Sequence, residues 1–270
     1  MKAFVRLFIL VICPGIASAA GLHPIVEVQS GYLFGAVADG KWIKADEASK
    51  SLADEMTYHV YGLTQSLGEA KGSKPKPEDV PCEETFSVSL SPKPEKGVIA
   101  VAGAWNALPR KVQVLDPTQK VYADAVRDFL KTKGLDQPKV KIDNIVRVDL
   151  DGDGEEEVLI SATNYLNKDN SVPIRSPAGS YSMVILRHVV GGKVVTQLVE
   201  GEFFPKAYAS SDKAGFNAPN EYKVIAVLDL DGDGKMEIVV GSRYYEGEAT
   251  TIYRYDPKKS DALLSVGCGA

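Results

Sequence analysis

Apolar residues come in short β-branched runs along most of the chain, each closed off by Gly, Pro, Asn or Asp. Runs of that kind are strand signals, because β-branched side chains fit a pleated surface and the bounding residues favour turns. YLFGAV, the Asp39-Gly40 pair and KWIKA predict a hairpin with Trp42 as its apolar anchor. ADEASKSLADEM, residues 45 to 56, has the composition of a short surface helix before TYHVYGL resumes as a strand. GEAKGSKPKPEDVP, residues 68 to 81, reads as an exposed loop, and FSVSL and GVIAVAGAW as further strands. Trp105 and Arg110 fall in the turn that follows, where they are either groove-lining or a packed indole beside a solvated guanidinium. From 116 to 134 the period changes to that of a helix. Asp116 and Pro117 are placed to start it, Val121, Tyr122, Ala125, Val126, Phe129 and Leu130 share a face, and Gly134 stops it. Strand signals then return through YSMVILRHVV, Gly191-Gly192, KVVTQLVEG, TTIYRYD and DALLSV. The pattern predicts a mainly β fold with one amphipathic helix packed on it.

Two of the strand-to-strand junctions are the same acidic loop. VRVDLDGDGEEEVLI, residues 146 to 160, recurs as VLDLDGDGKMEIVV at 227 to 240. Counted from the first aspartate, Asp149, Asp151, Asp153 and Glu157 match Asp229, Asp231, Asp233 and Glu237 at positions 1, 3, 5 and 9. Carboxylates at this density repel one another, and a loop that brings them together calls for a hard divalent cation with oxygen ligands, of which Ca²⁺ fits best. Gly154 and Gly234 stand at position 6, where the chain must turn sharply with φ above zero. Position 7 is Glu155 in one copy and Lys235 in the other, so that residue is expected to contribute its backbone carbonyl. An EF-hand is excluded by Ile160 and Val240 at position 12, where a bidentate glutamate is required, and by flanks that are strands.

These strand-flanked DxDxDGxx[DE] loops resemble the FG-GAP or VCBS repeats of integrin-like β-propellers. The resemblance covers about residues 140 to 265 and implies β-propeller-like repeats with two bound Ca²⁺ ions, each repeat supplying roughly four strands. The expected organisation is a signal peptide at 1–20, an N-terminal β region at 21–115, a helix at 116–134 and two calcium-binding repeats at 135–270.

MKAFVRLFILVICPGIASAA has basic Lys2 and Arg6, an apolar stretch and small residues at its end, the build of a cleavable signal peptide. A secreted or periplasmic protein with no membrane span is expected, in a compartment where low-affinity calcium sites stay filled. Beyond that leader the cysteines are Cys82 and Cys268, an even pair in an oxidising setting, and a disulfide between them is expected. In a propeller-like fold it would act as a closure device.

The net charge of −5 and the lack of a basic cluster argue against nucleic acid as a partner. The histidines, His23, His59 and His188, are isolated and do not support zinc. No GxSxG, HExxH, CxxC, Walker or GxGxxG signature is present. Arg243, Tyr244, Tyr245 and Glu246 are the candidate ligand surface, because Arg and Tyr give large contact area with polar tips. The expected function is a calcium-stabilised binding or scaffold protein recognising a protein or glycan. The alternatives are a secreted hydrolase on the same scaffold, with paired carboxylates such as Asp46 and Glu47 or Glu246 and Glu248, and a calcium-responsive regulator.

Overall fold

The computed structural model describes residues 21–206 and 218–269; the expected signal peptide lies outside them. The chain is mainly β, as its apolar pattern predicts. A first sheet is built from β1 (His23–Glu27), β2 (Leu33–Ala38), β3 (Lys41–Lys44), β4 (Met56–Tyr61) and β5 (Ser66–Gly72). After the short pair β6 (Lys76–Pro77) and β7 (Phe86–Ser87), β8 (Leu90–Ser91) and β9 (Ile99–Val101) complete it, in the order β3-β2-β1-β9-β4-β5-β8. A second sheet runs β10-β11-β12-β13-β14: β10 (Gln113–Leu115), β11 (Ile142–Val148), β12 (Glu157–Thr163), β13 (Ser180–Val190) and β14 (Lys193–Phe204). The third is the meander β15 (Glu221–Leu228), β16 (Glu237–Tyr244), β17 (Gly247–Arg254) and β18 (Asp261–Gly269). Every pairing is antiparallel. β10 lies inside the expected N-terminal region and pairs with β11 of the second sheet.

The third sheet is last in the sequence and central in space. Alternation along its strands gives it two apolar faces. Val240, Ile238 and Tyr253 pack with Val148, Leu159 and Leu186 of the second sheet. Val239, Ile252 and Leu264 pack with Ile25, Phe34 and Ile99 of the first. In β15, Val224 and Val227 both join the side facing the second sheet, which three-residue spacing forbids in a regular strand; a bulge between Val224 and Ala226 restores the phase. Because β15 is an edge strand, its backbone needs partners outside its own sheet. Ser161 Oγ and Ser182 Oγ accept from the Val224 and Tyr222 N–H groups, at 3.0 and 2.8 Å.

The expected helix is α2 (Lys120–Thr132), and it covers the outer face of the second sheet, with Val126 and Leu130 buried against Ile145, Ile160 and Met183. Its end is as read: Gly134 has φ 81°, its N–H bonds to Lys131 O at 3.0 Å, and Leu135 N–H reaches Leu130 O at 3.2 Å, a Schellman close. Its start is not. Asp116 Oδ1 accepts from Thr118 N and Oγ1 in a separate turn, so it does not cap the helix, and Val121 is solvent-exposed. The helix expected over 45–56 shrinks to the single turn α1 (Ala45–Ala48). Leu52 folds back into the core and Glu55 takes φ 60°, which a continuing helix excludes.

Among the described residues the sheets do not close into a propeller. A ring would need a further blade where α2 now sits; the helix ends the stack as a cap does in a repeat array. The expected disulfide is present. Cys82 and Cys268, 186 residues apart, tie the loop before β7 to β18.

Candidate metal centre

Each acidic loop is the turn of a hairpin, β11 to β12 and β15 to β16, and each holds its carboxylates by the same hydrogen bonds. In the first loop Asp149 Oδ1 accepts from Gly152 N at 2.6 Å and its Oδ2 from Gly154 N at 3.1 Å. Asp151 Oδ1 accepts from Asp153 N at 3.3 Å, Asp153 Oδ1 from Glu155 N at 2.8 Å, and Glu157 Oε2 from Leu150 N at 2.8 Å. The second loop repeats this bond for bond. Asp229 takes Gly232 and Gly234, Asp231 takes Asp233, Asp233 takes Lys235, and Glu237 takes Leu230. The lone pairs left over converge. One oxygen each of Asp149, Asp151 and Asp153 lies within 4.8 Å of the others, as do those of Asp229, Asp231 and Glu237. Oxygens about 2.4 Å from a common ion would be so spaced, so the donor set fits Ca²⁺.

The glycines at position 6 have φ 91° and 87°, as the sharp turn requires. Position 4 needs the same freedom, with φ 81° at Gly152 and 76° at Gly232. At Gly232 a Cβ would also lie 3.0 Å from the Trp105 ring. The Glu155 and Lys235 side chains are exposed, consistent with only their backbone serving the loop.

Burial and like charge both disfavour ionisation of the carboxylates in these loops. Burial pushes the Glu157 carboxyl up to about 7 and Glu237 up to about 9, with the neighbouring aspartates adding to the rise and the Leu150 and Leu230 N–H groups opposing it. Asp229 and Asp231 are also raised, first by burial. The second loop is the more deeply set because its sheet is the middle one.

The two loops touch. Met236 N–H, at position 8 of the second, donates to Leu150 O, at position 2 of the first, at 2.8 Å. A strap at 102–112, between β9 and β10, then crosses both. Trp105 Nε1 donates to Asp229 O at 2.7 Å and Ala107 O accepts from Asp229 N at 2.8 Å. Arg110 donates through Nε to Asp149 O at 2.5 Å and through Nη2 to Leu150 O at 2.9 Å. Trp105 and Arg110 therefore hold the backbone of the acidic loops. The sequence offered an indole and a guanidinium five residues apart, and nothing local said what lay beneath them.

Arg243, Tyr244, Tyr245 and Glu246 lie at the other end of the β15–β16 hairpin. Arg243 pairs across strands with Glu221 and bonds to its carboxylate, while its Nη2 donates to Asn170 O at 2.7 Å. The Tyr244 and Tyr245 rings meet edge to face at 5.5 Å, and Tyr244 rests on Gly247 and Gly269. Arg243 also lines a cavity between the first and third sheets, which Tyr245 and Glu246 do not. Of the histidines, His59 faces Glu69 at 3.4 Å, His23 Nδ1 bonds Ala102 O, and His188 is buried with neither ring nitrogen partnered.

A family model described as FG-GAP repeat matches residues 224–253. That span takes in most of β15, the second acidic loop, β16 and most of β17. No curated protein and no solved structure gives a match. The match supports the FG-GAP family for the second repeat, a family reading that points to binding or scaffold proteins. No helix among the described residues is long and apolar enough to cross a membrane.

Proposed function

We propose that this is an exported binding or scaffold protein whose three-sheet stack is held together by two Ca²⁺ ions and one disulfide, with a protein as its ligand class. One observation carries the reading: two loops 80 residues apart repeat the same five hydrogen bonds, and each brings three carboxylate oxygens together, at a half-buried to exposed place in the first loop and a largely buried one in the second. A bound cation would offset the repulsion among these carboxylates, most of all in the second loop, where Asp229 and Glu237 are buried. Asp149, Asp151, Asp153 and Glu157, with the Glu155 carbonyl, would hold one ion. Asp229, Asp231, Asp233 and Glu237, with the Lys235 carbonyl, would hold the other. The chain itself sets the loop backbone through Arg110, Trp105 and Ala107, so the ion completes the fold more than it opens a reaction site.

Export supports the calcium assignment, because millimolar calcium keeps such loops filled. The measurement is thermal unfolding of the full chain with Ca²⁺ and with EGTA, paired with cell fractionation and N-terminal sequencing of the recovered protein. A rise in melting temperature with Ca²⁺, and a chain beginning after residue 20 outside the cytoplasm, are expected. Equal melting temperatures would remove the calcium reading, and an intact leader in the cytoplasm would remove export.

A further inference from the structure

We propose that the wedge between the first and third sheets, at the end away from the metal loops, binds an extended peptide segment through a basic side chain. The proposal rests on the binding-protein reading and gives it a site. The wedge holds a cavity of about 240 Å³. Its floor is two rungs of the third sheet in cross-strand register. One rung runs Lys223, Gly241, Thr250, Val266, and the next runs Glu221, Arg243, Glu248, Cys268. Gly241 leaves the floor low at its centre, where a Cβ would already meet Ile225 at 3.2 Å. The facing wall comes from the β1–β2 turn, with Glu27 and Tyr32.

The charges there are unevenly satisfied. Arg243 is used twice, by Glu221 and by Asn170 O. Glu27 is turned inward, its Oε2 accepting from Ser30 N and Oγ. Glu248 sits across from Arg243 but has no hydrogen bond or ion pair among the described residues, and Lys223 is exposed and likewise without one. Three carboxylates, Glu27, Glu221 and Glu248, against two cations, Lys223 and Arg243, leave the lining one positive charge short of neutral, with Glu248 as its open acceptor. A guanidinium or ammonium placed there would pair with the Glu248 carboxylate and extend the Glu221, Arg243, Glu248 row by one cation, since charge-assisted hydrogen bonds to carboxylates are the strong ones. Ile225, Val266 and the Tyr32 ring flank that point with apolar surface. A strand-like segment presents alternate side chains to one face, so a basic residue next to apolar ones matches the lining.

The probes are acetyl-Val-Arg-Val-amide, acetyl-Val-Glu-Val-amide and methylguanidinium, each titrated into the Ca²⁺-loaded full chain and followed by amide NMR shifts. The arginine peptide is expected to bind saturably and to move the Gly241, Thr250 and Val266 amides. Glu248→Gln should weaken it about tenfold, and Lys223→Gln, by removing a competing cation, should tighten it. Both side chains are exposed, so neither change threatens folding. Preference for the glutamate peptide, the opposite response of the two variants, or methylguanidinium binding as well as the peptide would overturn the proposal. Arginine-peptide binding that ignores Glu248 would remove this site and leave the binding reading standing; absence of any peptide binding removes the site without touching calcium stabilisation.

Discussion

Met236 N–H donates to Leu150 O at 2.8 Å, so the two acidic loops share a backbone hydrogen bond. Leu150 N–H in turn donates to Glu157, and Glu237 accepts from Leu230 N–H. Ordering one loop therefore presents the other with a fixed carbonyl or amide. Asp149→Asn and Asp229→Asn, measured singly and together by calorimetric Ca²⁺ titration, should show a coupling of about 0.5 to 3 kcal/mol. Additive effects would mean that the shared bond transmits nothing.

With two sites filled, calcium should raise the melting temperature by roughly 10 to 20 °C at a concentration one hundred times the Kd, from about 2.7 kcal/mol of linkage per site. Asp231→Asn should cut that gain by about half while leaving the chelator-treated protein unharmed, because it also relieves repulsion. Differential scanning calorimetry with and without EGTA checks both parts.

The strap offers a test without touching a carboxylate. Arg110→Ala removes two donors to the first loop and should cost about 1 to 3 kcal/mol in denaturant unfolding. Trp105→Phe keeps most of the ring and removes the bond to Asp229 O, at a cost of about 1 kcal/mol.

Replacing Cys82 and Cys268 by serine should lower stability by about 2 to 5 kcal/mol, since the bond closes a loop of 186 residues in the unfolded chain. Urea unfolding of the double variant against oxidised wild type measures this. A change below 1 kcal/mol would place the holding force elsewhere in the stack.

His188 supplies a pH dependence. It is 2% exposed, stacked edge to face on Tyr255, and burial holds its pKa below the ordinary value of 6.5. Above about pH 7.5 the ring is neutral in both states and contributes almost no slope. As the pH falls below that, the unfolded chain takes up a proton that the folded one refuses, and stability declines by at most about 1.4 kcal/mol per pH unit. His188→Leu should flatten the curve between pH 6.5 and 5, read by urea midpoints.

Much of this was legible in the sequence because it is local. The carboxylate spacing, Gly154 and Gly234, the Gly134 helix close and the strand runs each act within a few residues, where periodicity and turn chemistry decide. The Cys82–Cys268 link followed from parity. The rest depends on distant partners. Leu52 leaves its expected helix because the first sheet offers it a buried place, and Val121 stays exposed because the sheet beneath α2 is met by Val126 and Leu130. Trp105 and Arg110 read as turn residues because the loops they hold begin far away in sequence, 39 residues beyond Arg110 and 124 beyond Trp105. Resemblance to a propeller implied a ring; the helix lying on the second sheet is what the repeat pattern alone had no means of placing.

The position of the third sheet decides how the molecule comes into being. Among the described residues β15 to β18 form the layer that both other sheets face. Without those four strands each of the other two sheets keeps one apolar face uncovered, so the stack cannot assemble pairwise without its middle layer. A chain cut within the third sheet is therefore expected to fall to proteases in both of its other sheets at once.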